Sequence, residues 1–190
     1  MLNLKKEILE YSLKIENIMK KQLINLINEV IYNDEHWLQG EVKGGLVEDI
    51  RSVKVKSFEE SEISASVSKR IIFNELKIFT NQIEQIYKEE VSSFYFSVEN
   101  NFQFLLYNKD IKGHYDFHTD YHKQEPRNLT ILVGLNSKDE YEGGELFIQN
   151  QEGIRLHKGD VVCFPSNFLY PHKVSKVTNG ERKVLVIWTS

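Results

Sequence analysis

The chain has 190 residues (22.4 kDa), 41% of them hydrophobic and 27% charged, which suffices for a buried core and excludes a disordered or collagen-like protein. The formal net charge of −4 and the pI of about 5.9 argue against a dedicated nucleic-acid-binding protein, because phosphate recognition needs a basic face. The single cysteine, Cys163, excludes an internal disulfide. Because no apolar stretch suits a secretory signal or a membrane span, we predict a cytoplasmic protein without membrane contact.

The first hundred residues have mainly helical patterns. Residues 11–18 alternate well enough for a short strand, and the apolar spacing over 19–32 predicts a helix. Residues 49–55 follow as a second strand, and 62–91 form the longest predicted helix. Packing against a sheet explains the apolar stripe of this helix, which contains Val67, Ile71, Ile72, Leu76, Phe79, Ile83, Ile86 and Tyr87.

The second half has short strand-like runs separated by glycine-containing turns. The predicted strands lie near 101–107, 128–135, 144–149, 153–157, 160–165, 172–178 and 182–189. So many short strands at regular spacing are typical of a sandwich or barrel, including jelly rolls. We therefore predict one α+β domain, mainly β, over residues 1–190, with a helical support region (1–99) bracing a β core (100–190).

A histidine and an aspartate lie two residues apart in the sequence His118-Thr119-Asp120. On a strand these side chains leave the same face, so they can bind one metal ion. A third ligand must come from another strand, and His172 at the start of a predicted strand is the best candidate. Two imidazoles and one carboxylate on one face of a metal leave the opposite face open, which suits non-heme Fe(II) oxygenases.

The surrounding sequence adds further motifs in a specific order. The metal motif is preceded by Tyr107, Gly113 and Tyr115. It is followed by Tyr141-Glu-Gly-Gly-Glu-Leu146, Lys158-Gly-Asp160, Phe164-Pro165-Ser166, His172, Gly180-x-Arg182 and Trp188. This arrangement resembles the prolyl-4-hydroxylase-like superfamily of 2-oxoglutarate- and Fe(II)-dependent dioxygenases. It is most similar to small bacterial and phage members, including the PKHD-type hydroxylases.

The resemblance implies a double-stranded β-helix (jelly roll) with the metal near its mouth. It implies that His118, Asp120 and His172 bind Fe(II). It implies that Arg182 pairs with the distal carboxylate of 2-oxoglutarate, with Tyr107 as a hydrogen-bond donor to it. O2 is the second co-substrate, and ascorbate is a supporting reductant. Family members often have a tyrosine near the metal at the position of Tyr115, and a core aromatic residue is the competing interpretation.

Arg182 has a rival in its neighbour Lys183. The preceding Asn179-Gly180 pair is a hairpin signal, and a two-residue turn there would place Lys183 on the face of His172. A three-residue bulged loop would restore Arg182 to that face. We favour Arg182, because its six-residue step to Trp188 matches the family pattern and its planar fork pairs well with a carboxylate.

The implied reaction is hydroxylation of a C–H bond, coupled to conversion of 2-oxoglutarate into succinate and CO2. A peptidyl residue such as proline is the leading substrate, received by the loops 121–128, 137–142 and 166–171; a free amino acid or small metabolite is the alternative. Two other classes stay open: a jelly-roll module that binds the metal or 2-oxoglutarate without turnover, and a zinc enzyme using the same three ligands.

Overall fold

The computed structural model describes residues 11–42, 47–91, 98–121, 123 and 126–190. The first ten residues of the predicted support region therefore lie outside the described part. The described residues contain two α-helices, α1 (Lys21–Ile27) and α2 (Val67–Glu90). The strands are β1 (Leu13–Ile15), β2 (Leu38–Gln39), β3 (Arg51–Ser52), β4 (Lys54–Glu59), β5 (Val98–Asn108), β6 (His114–His118), β7 (Leu129–Gly134), β8 (Tyr141–Gly143), β9 (Leu146–Ile148), β10 (Val161–Pro165), β11 (His172–Val174) and β12 (Val177–Thr189).

The strands form two antiparallel sheets, as the prediction of a mainly β protein requires. The major sheet has the order β1-β10-β7-β12-β5-β4-β2, and β8 pairs with the first part of β12. The minor sheet has the order β3-β6-β11-β9. Two sheets with side chains between them form the jelly-roll architecture that the sequence resemblance implies. Among the described residues, no helix is long and apolar enough to cross a membrane.

The outer face of the major sheet is covered by the helices. Strand residues alternate between faces, so Phe102 and Phe104 of β5 point toward α2 together with Leu185 and Ile187 of β12. Phe73 of α2 packs edge-to-face on this layer, 5.5 Å between ring centroids from Phe102. The helices therefore brace the sheet by apolar contact.

The other face of the major sheet lines the space between the sheets. Here the same strands contribute Leu105, Tyr107, Val184 and Val186, which pack against residues of the minor sheet such as Val174. This second cluster also contains buried polar groups, among them His172 and Arg182. In the described chain, the predicted site residues therefore lie on the side of the major sheet that faces the barrel interior.

Three details differ from the sequence-based predictions. The first hundred residues supply more strand than predicted: β1 and β3 form within the two predicted strands, and β2 and β4 join the major sheet in addition. The strand predicted at 153–157 does not form, and Ile154 makes only an isolated bridge to Leu146. On α2 the residues Val67 and Ile71 are exposed, because the buried face of the helix begins at Ile72 and Phe73 and continues through Leu76.

The hairpin predicted at Asn179-Gly180 is also wrong. Both residues lie within the long strand β12, where Gly180 pairs with Tyr141 of β8. Gly180 has a φ of +69°, and a Cβ there would lie 2.1 Å from the carbonyl oxygen of Glu140. The glycine is needed for this close approach between neighbouring strands and for the left-handed backbone.

Candidate metal and 2-oxoglutarate site

The two histidines of the predicted metal site are neighbours across the minor sheet. His118 ends β6 and pairs in register with His172, which begins β11. Asp120 follows two residues after the end of β6. One ligand atom from each of the three side chains lies within 4.8 Å of the others. The structure thus brings together His118, Asp120 and His172 from separate parts of the chain.

Hydrogen bonds orient both imidazoles toward the carboxylate. The Nδ1 atom of His118 is 2.8 Å from the carbonyl oxygen of Asp116, and that of His172 is 3.1 Å from the carbonyl oxygen of Tyr170. A carbonyl can only accept, so each Nδ1 carries the proton and each Nε2 keeps a free lone pair. These Nε2 atoms lie 3.6 and 3.5 Å from the two carboxylate oxygens of Asp120. This donor set fits a divalent metal ion.

The protonation states of His118 and Asp120 also favour metal binding. Burial, together with the neighbouring His172, lowers the pKa of His118 to about 4, so its imidazole is neutral at neutral pH. Burial acts to raise the pKa of Asp120, but the nearby His172 and His118 and a hydrogen bond from Thr130 outweigh it and hold that pKa below its usual value. Neutral imidazoles and an ionised carboxylate are the forms that bind metal.

Two hydroxyl groups form a hydrogen-bonded chain that ends at the Asp120 carboxylate. Thr130 of β7 donates from Oγ1 to the Asp120 carboxylate at 2.7 Å, and its hydroxyl lies 2.8 Å from that of Ser166. Both hydroxyl residues are buried. Sequence reasoning predicted no contact of Thr130 or Ser166 with the metal ligands. The sequence offered one clue to Thr130 and Ser166, which is that each lies near one end of a predicted strand.

Arg182 lies on the barrel face of β12 and points into the same pocket as the metal cluster. It is 2% exposed, and its Nε and one terminal nitrogen make no hydrogen bond with the described residues. A buried guanidinium with unused donors is costly unless an anion pairs with it. The carboxylate of a bound co-substrate meets this requirement, because a carboxylate accepts from an arginine at two oxygens.

Tyr107 lies directly across from Arg182. The two residues pair in register between β5 and β12, and the Arg182 guanidinium carbon is 5.0 Å from the centre of the Tyr107 ring. Burial raises the pKa of the Tyr107 phenol, so the hydroxyl stays protonated and can donate a hydrogen bond. The structure therefore places Tyr107 beside the anion-binding group.

Lys183 points to the opposite face of β12. Its Nζ atom lies 5.1 Å from the centre of the Tyr32 ring, on the helix-covered side of the sheet. Strand alternation explains the difference, because adjacent residues of β12 leave opposite faces. Of the two rivals, only Arg182 lines the pocket.

Tyr115 and Arg51 form a stack on the open side of His118. The ring of Tyr115 lies parallel to the His118 imidazole at 3.5 Å, and the Arg51 guanidinium carbon is 4.7 Å from the Tyr115 ring centre. Burial raises the pKa of the Tyr115 phenol. Sequence reasoning missed Arg51, which lies in the first half of the chain and reaches the pocket only because β3 pairs with β6.

The remaining pocket walls include polar side chains from the major sheet. Gln103 and Trp188 line the pocket. The indole N–H of Trp188 acts to lower the pKa of Asp120 without reaching hydrogen-bond geometry. The Arg127 guanidinium carbon stacks 3.8 Å from the Trp188 ring centre. The sequence analysis did not predict site roles for Gln103 and Arg127.

The comparison with protein families supports this site. Residues 102–190, which contain all three metal-cluster residues and Arg182, match the family described as the 2OG-Fe(II) oxygenase superfamily. A PKHD-type hydroxylase of Prochlorococcus marinus (strain MIT 9301) is 27% identical over 182 residues, covering 92% of this chain and 76% of the relative. The similarity therefore extends through the N-terminal half as well.

Solved structures show the same fold. A prolyl hydroxylase from Trichoplax adhaerens, in complex with a hypoxia inducible factor peptide fragment, has a TM-score of 0.75 at 14% identity, covering 97% of this chain and 86% of its own. The viral collagen prolyl hydroxylase of Paramecium Bursaria Chlorella virus-1, in a 2OG complex, has a TM-score of 0.68 at 17% identity, covering 94% and 95%.

The fold, the metal cluster and the sequence match agree. Residues 102–190 match the 2OG-Fe(II) oxygenase superfamily, and together with the fold and the metal cluster this match supports a 2-oxoglutarate-dependent hydroxylase that uses Fe(II).

Proposed function

We propose that this enzyme hydroxylates a residue within a peptide or protein, with proline as the leading target. The observation that carries this proposal is a set of exposed apolar side chains in segments that adjoin the metal ligands. Eleven large hydrophobic side chains of the described residues are exposed, and six of them lie in three segments that adjoin the metal ligands along the chain or through backbone hydrogen bonds. These six, the exposed apolar set, are Val47, Ile50, Phe117, Tyr121, Phe168 and Leu169.

Backbone hydrogen bonds connect the segments of the exposed apolar set to those that carry the metal ligands. The backbone N–H of Tyr121 donates to the carbonyl oxygen of Ser166 at 2.8 Å, which joins the segment after Asp120 to the segment holding Phe168. The backbone N–H of Asp116 donates to the carbonyl oxygen of Ile50 at 2.8 Å. A concentrated exposed apolar surface typically marks an interaction site, and a polymeric substrate can cover it while one side chain enters the pocket.

We assign roles to the pocket residues within this proposal. His118, Asp120 and His172 hold Fe(II), and Arg182 with Tyr107 holds the distal carboxylate of 2-oxoglutarate. The Tyr115 ring keeps the His118 imidazole oriented by stacking. When bound, the metal and co-substrate supply an O2-dependent oxidation in which 2-oxoglutarate becomes succinate and CO2. The protein orients the reactants and excludes water from the reacting carbon.

A free amino acid or small metabolite is the second candidate, and one observation favours it. Arg51 reaches the pocket wall, and its buried Nε makes no hydrogen bond with the described residues. One terminal nitrogen of Arg51 donates to the carbonyl oxygen of Glu41, so the Nε remains as a donor for the carboxylate of a free amino acid. We place the enzyme in the cytoplasm, since its one cysteine, Cys163, is buried and unpaired.

The test measures succinate release with two sets of compounds. One set contains end-capped proline peptides with apolar or polar neighbours, and the other contains free amino acids. We expect turnover of capped peptides with apolar neighbours. Phe168→Ser should then raise KM for the peptide by roughly tenfold, while KM for 2-oxoglutarate stays unchanged.

Ile78→Ser is the matched control, because Ile78 is 61% exposed on α2 and Phe168 is 80% exposed in the segment that follows β10. This variant should leave all kinetic constants unchanged. Turnover of free amino acids with no turnover of capped peptides would contradict the proposal. Sensitivity of that turnover to Arg51→Gln would then establish the second candidate.

A further inference from the structure

A basic groove lies at the opposite end of the barrel from the metal cluster. It has about 1230 Å³ of empty space that is open to solvent, and it is formed by β1, the start of α1 and the segments 138–139 and 155–160. Strand β10 joins the two sites: Asp160 precedes it at the groove and Ser166 follows it at the metal cluster. At the usual rise per residue, these ends are about 20 Å apart.

The floor of the groove is held in place by a buried acid. The Asp160 carboxylate accepts from the backbone N–H of Asn17 at 3.1 Å and from that of His157 at 2.9 Å. The carbonyl oxygen of Gly159 accepts from the backbone N–H groups of Ile18 and Met19. These bonds fix the N-terminal segment against the loop, so the groove has a defined shape without a ligand.

The walls carry more positive than negative charge. Five cationic side chains line the groove: Lys14, Lys21, Lys138, Arg155 and Lys158. Only Lys14 has an acidic partner among the described residues, because it pairs with Glu16 at 2.9 Å. Lys158 donates to the side-chain oxygen of Asn25, which is neutral.

The remaining cations and acids do not neutralise one another. Arg155 donates to the backbone carbonyl oxygens of Lys138 and Tyr141, and its buried Nε makes no hydrogen bond with the described residues. Of the acids that line the groove, Asp160 is committed to backbone N–H groups, and Asp139 receives a hydrogen bond from Ser137. Four cations therefore lack an acidic partner, in a chain whose overall charge is −4.

We propose that this basic groove binds an acidic peptide segment of a partner protein, rich in aspartate and glutamate. A concave surface with one sign of charge concentrates its field and attracts ligands of the opposite sign. The cations come from three separate segments, so they suit several carboxylates spaced along a chain. The proposal does not depend on the substrate of the catalytic pocket.

Fluorescence anisotropy with the full-length protein and a fluorescein-labelled oligoglutamate peptide tests this proposal at low ionic strength. We expect saturable binding that Lys21→Glu combined with Lys138→Glu weakens by roughly tenfold or more. Raising the salt to about 150 mM should also weaken it, since screening acts on exposed charges. Lys21→Gln with Lys138→Gln should give a smaller loss in the same direction.

The control is Lys109→Glu combined with Lys176→Glu, which makes the same charge change at two exposed lysines that do not line the groove. It should bind oligoglutamate as the unmodified protein does. Absence of saturable binding, or equal weakening by both Glu pairs, would overturn the proposal. Tighter binding of an oligothymidylate through Lys21 and Lys138 would overturn it in favour of nucleic acid.

Discussion

The two faces of the major sheet use the same strands for different purposes. On the helix-covered face, β5 and β12 contribute Phe102, Phe104 and Leu185 to an aromatic and aliphatic layer. On the barrel face, β12 contributes Arg182, which is 2% exposed. One face stabilises the fold and the other carries costly buried polar groups that only ligands satisfy. Substitutions on the two faces should therefore have separable effects.

The largest effect is expected at the metal cluster. His172→Ala removes one of three ligands, and since changes to supporting residues alone cost 10- to 100-fold in metal affinity, we expect a loss of about 100-fold or more. Anaerobic addition of Fe(II) and then 2-oxoglutarate should give a weak visible charge-transfer band in the unmodified protein and none in the variant. His36→Ala, at a side chain that is 97% exposed, should keep the band. An unchanged band in His172→Ala would disprove the ligand assignment.

The helix-covered face should respond in stability. Phe73→Ala removes a ring that is 1% exposed and packs on Phe58 and Phe102, so we expect a loss of about 3–5 kcal/mol in the free energy of unfolding. Denaturant titration measures this loss. The affinity for 2-oxoglutarate of the protein that remains folded should not change. A weakened 2-oxoglutarate affinity at unchanged stability would show that the two faces are not separable.

Arg182→Ala tests the barrel face. Loss of a buried charged hydrogen-bond pair costs about 2–5 kcal/mol, so we expect the half-saturating 2-oxoglutarate concentration for the charge-transfer band to rise by roughly 100-fold. Lys183→Ala is the matched control on the helix-covered face of the same strand and should leave that concentration unchanged. A larger effect of Lys183→Ala would reverse the assignment of the carboxylate anchor.

The pH dependence of stability extends the comparison to His118. Its folded-state pKa of about 4 lies below the ordinary value of 6.5, so the unfolded chain takes up the proton first as the pH falls. The associated stability is fully present above pH 6.5 and is lost between pH 6.5 and about 4, by about 3 kcal/mol in the metal-free protein. Denaturant titrations across this range measure it. His118→Asn should lose less stability over the same interval, and an equal loss would contradict the assignment.

The smallest effect is expected from Thr130→Val. This change removes the hydroxyl that donates to Asp120 at 2.7 Å while it keeps the side-chain shape. A supporting hydrogen bond orients a metal ligand, so we expect Fe(II) affinity to fall about tenfold. The pKa of Asp120 should rise, because a bond that lowers it is lost. Metal titration followed by the charge-transfer band measures the change, and Thr178→Val, at an exposed position of β12, should have no effect.

Local patterns in the sequence were enough for several parts of this protein. The two-residue step from His118 to Asp120 predicted a shared metal site because neighbouring side chains depend on backbone geometry alone. Alternation along β5 and β12 likewise predicted buried strands, and the long apolar stripe predicted a helix over 62–91, which forms over Val67–Glu90. Periodicity is a short-range property, so a sequence expresses it directly.

Contacts between distant segments needed the tertiary structure. The register between β6 and β11 places His172 beside His118, and the pairing of β3 with β6 brings Arg51 to the pocket. Gly180 resembled a hairpin turn, yet its role is the close approach of β8 to β12. Strand pairing and side-chain packing depend on which residues meet across the fold. The sequence therefore determined the chemistry of the metal site and the elements that carry it, and the tertiary structure decided what surrounds it.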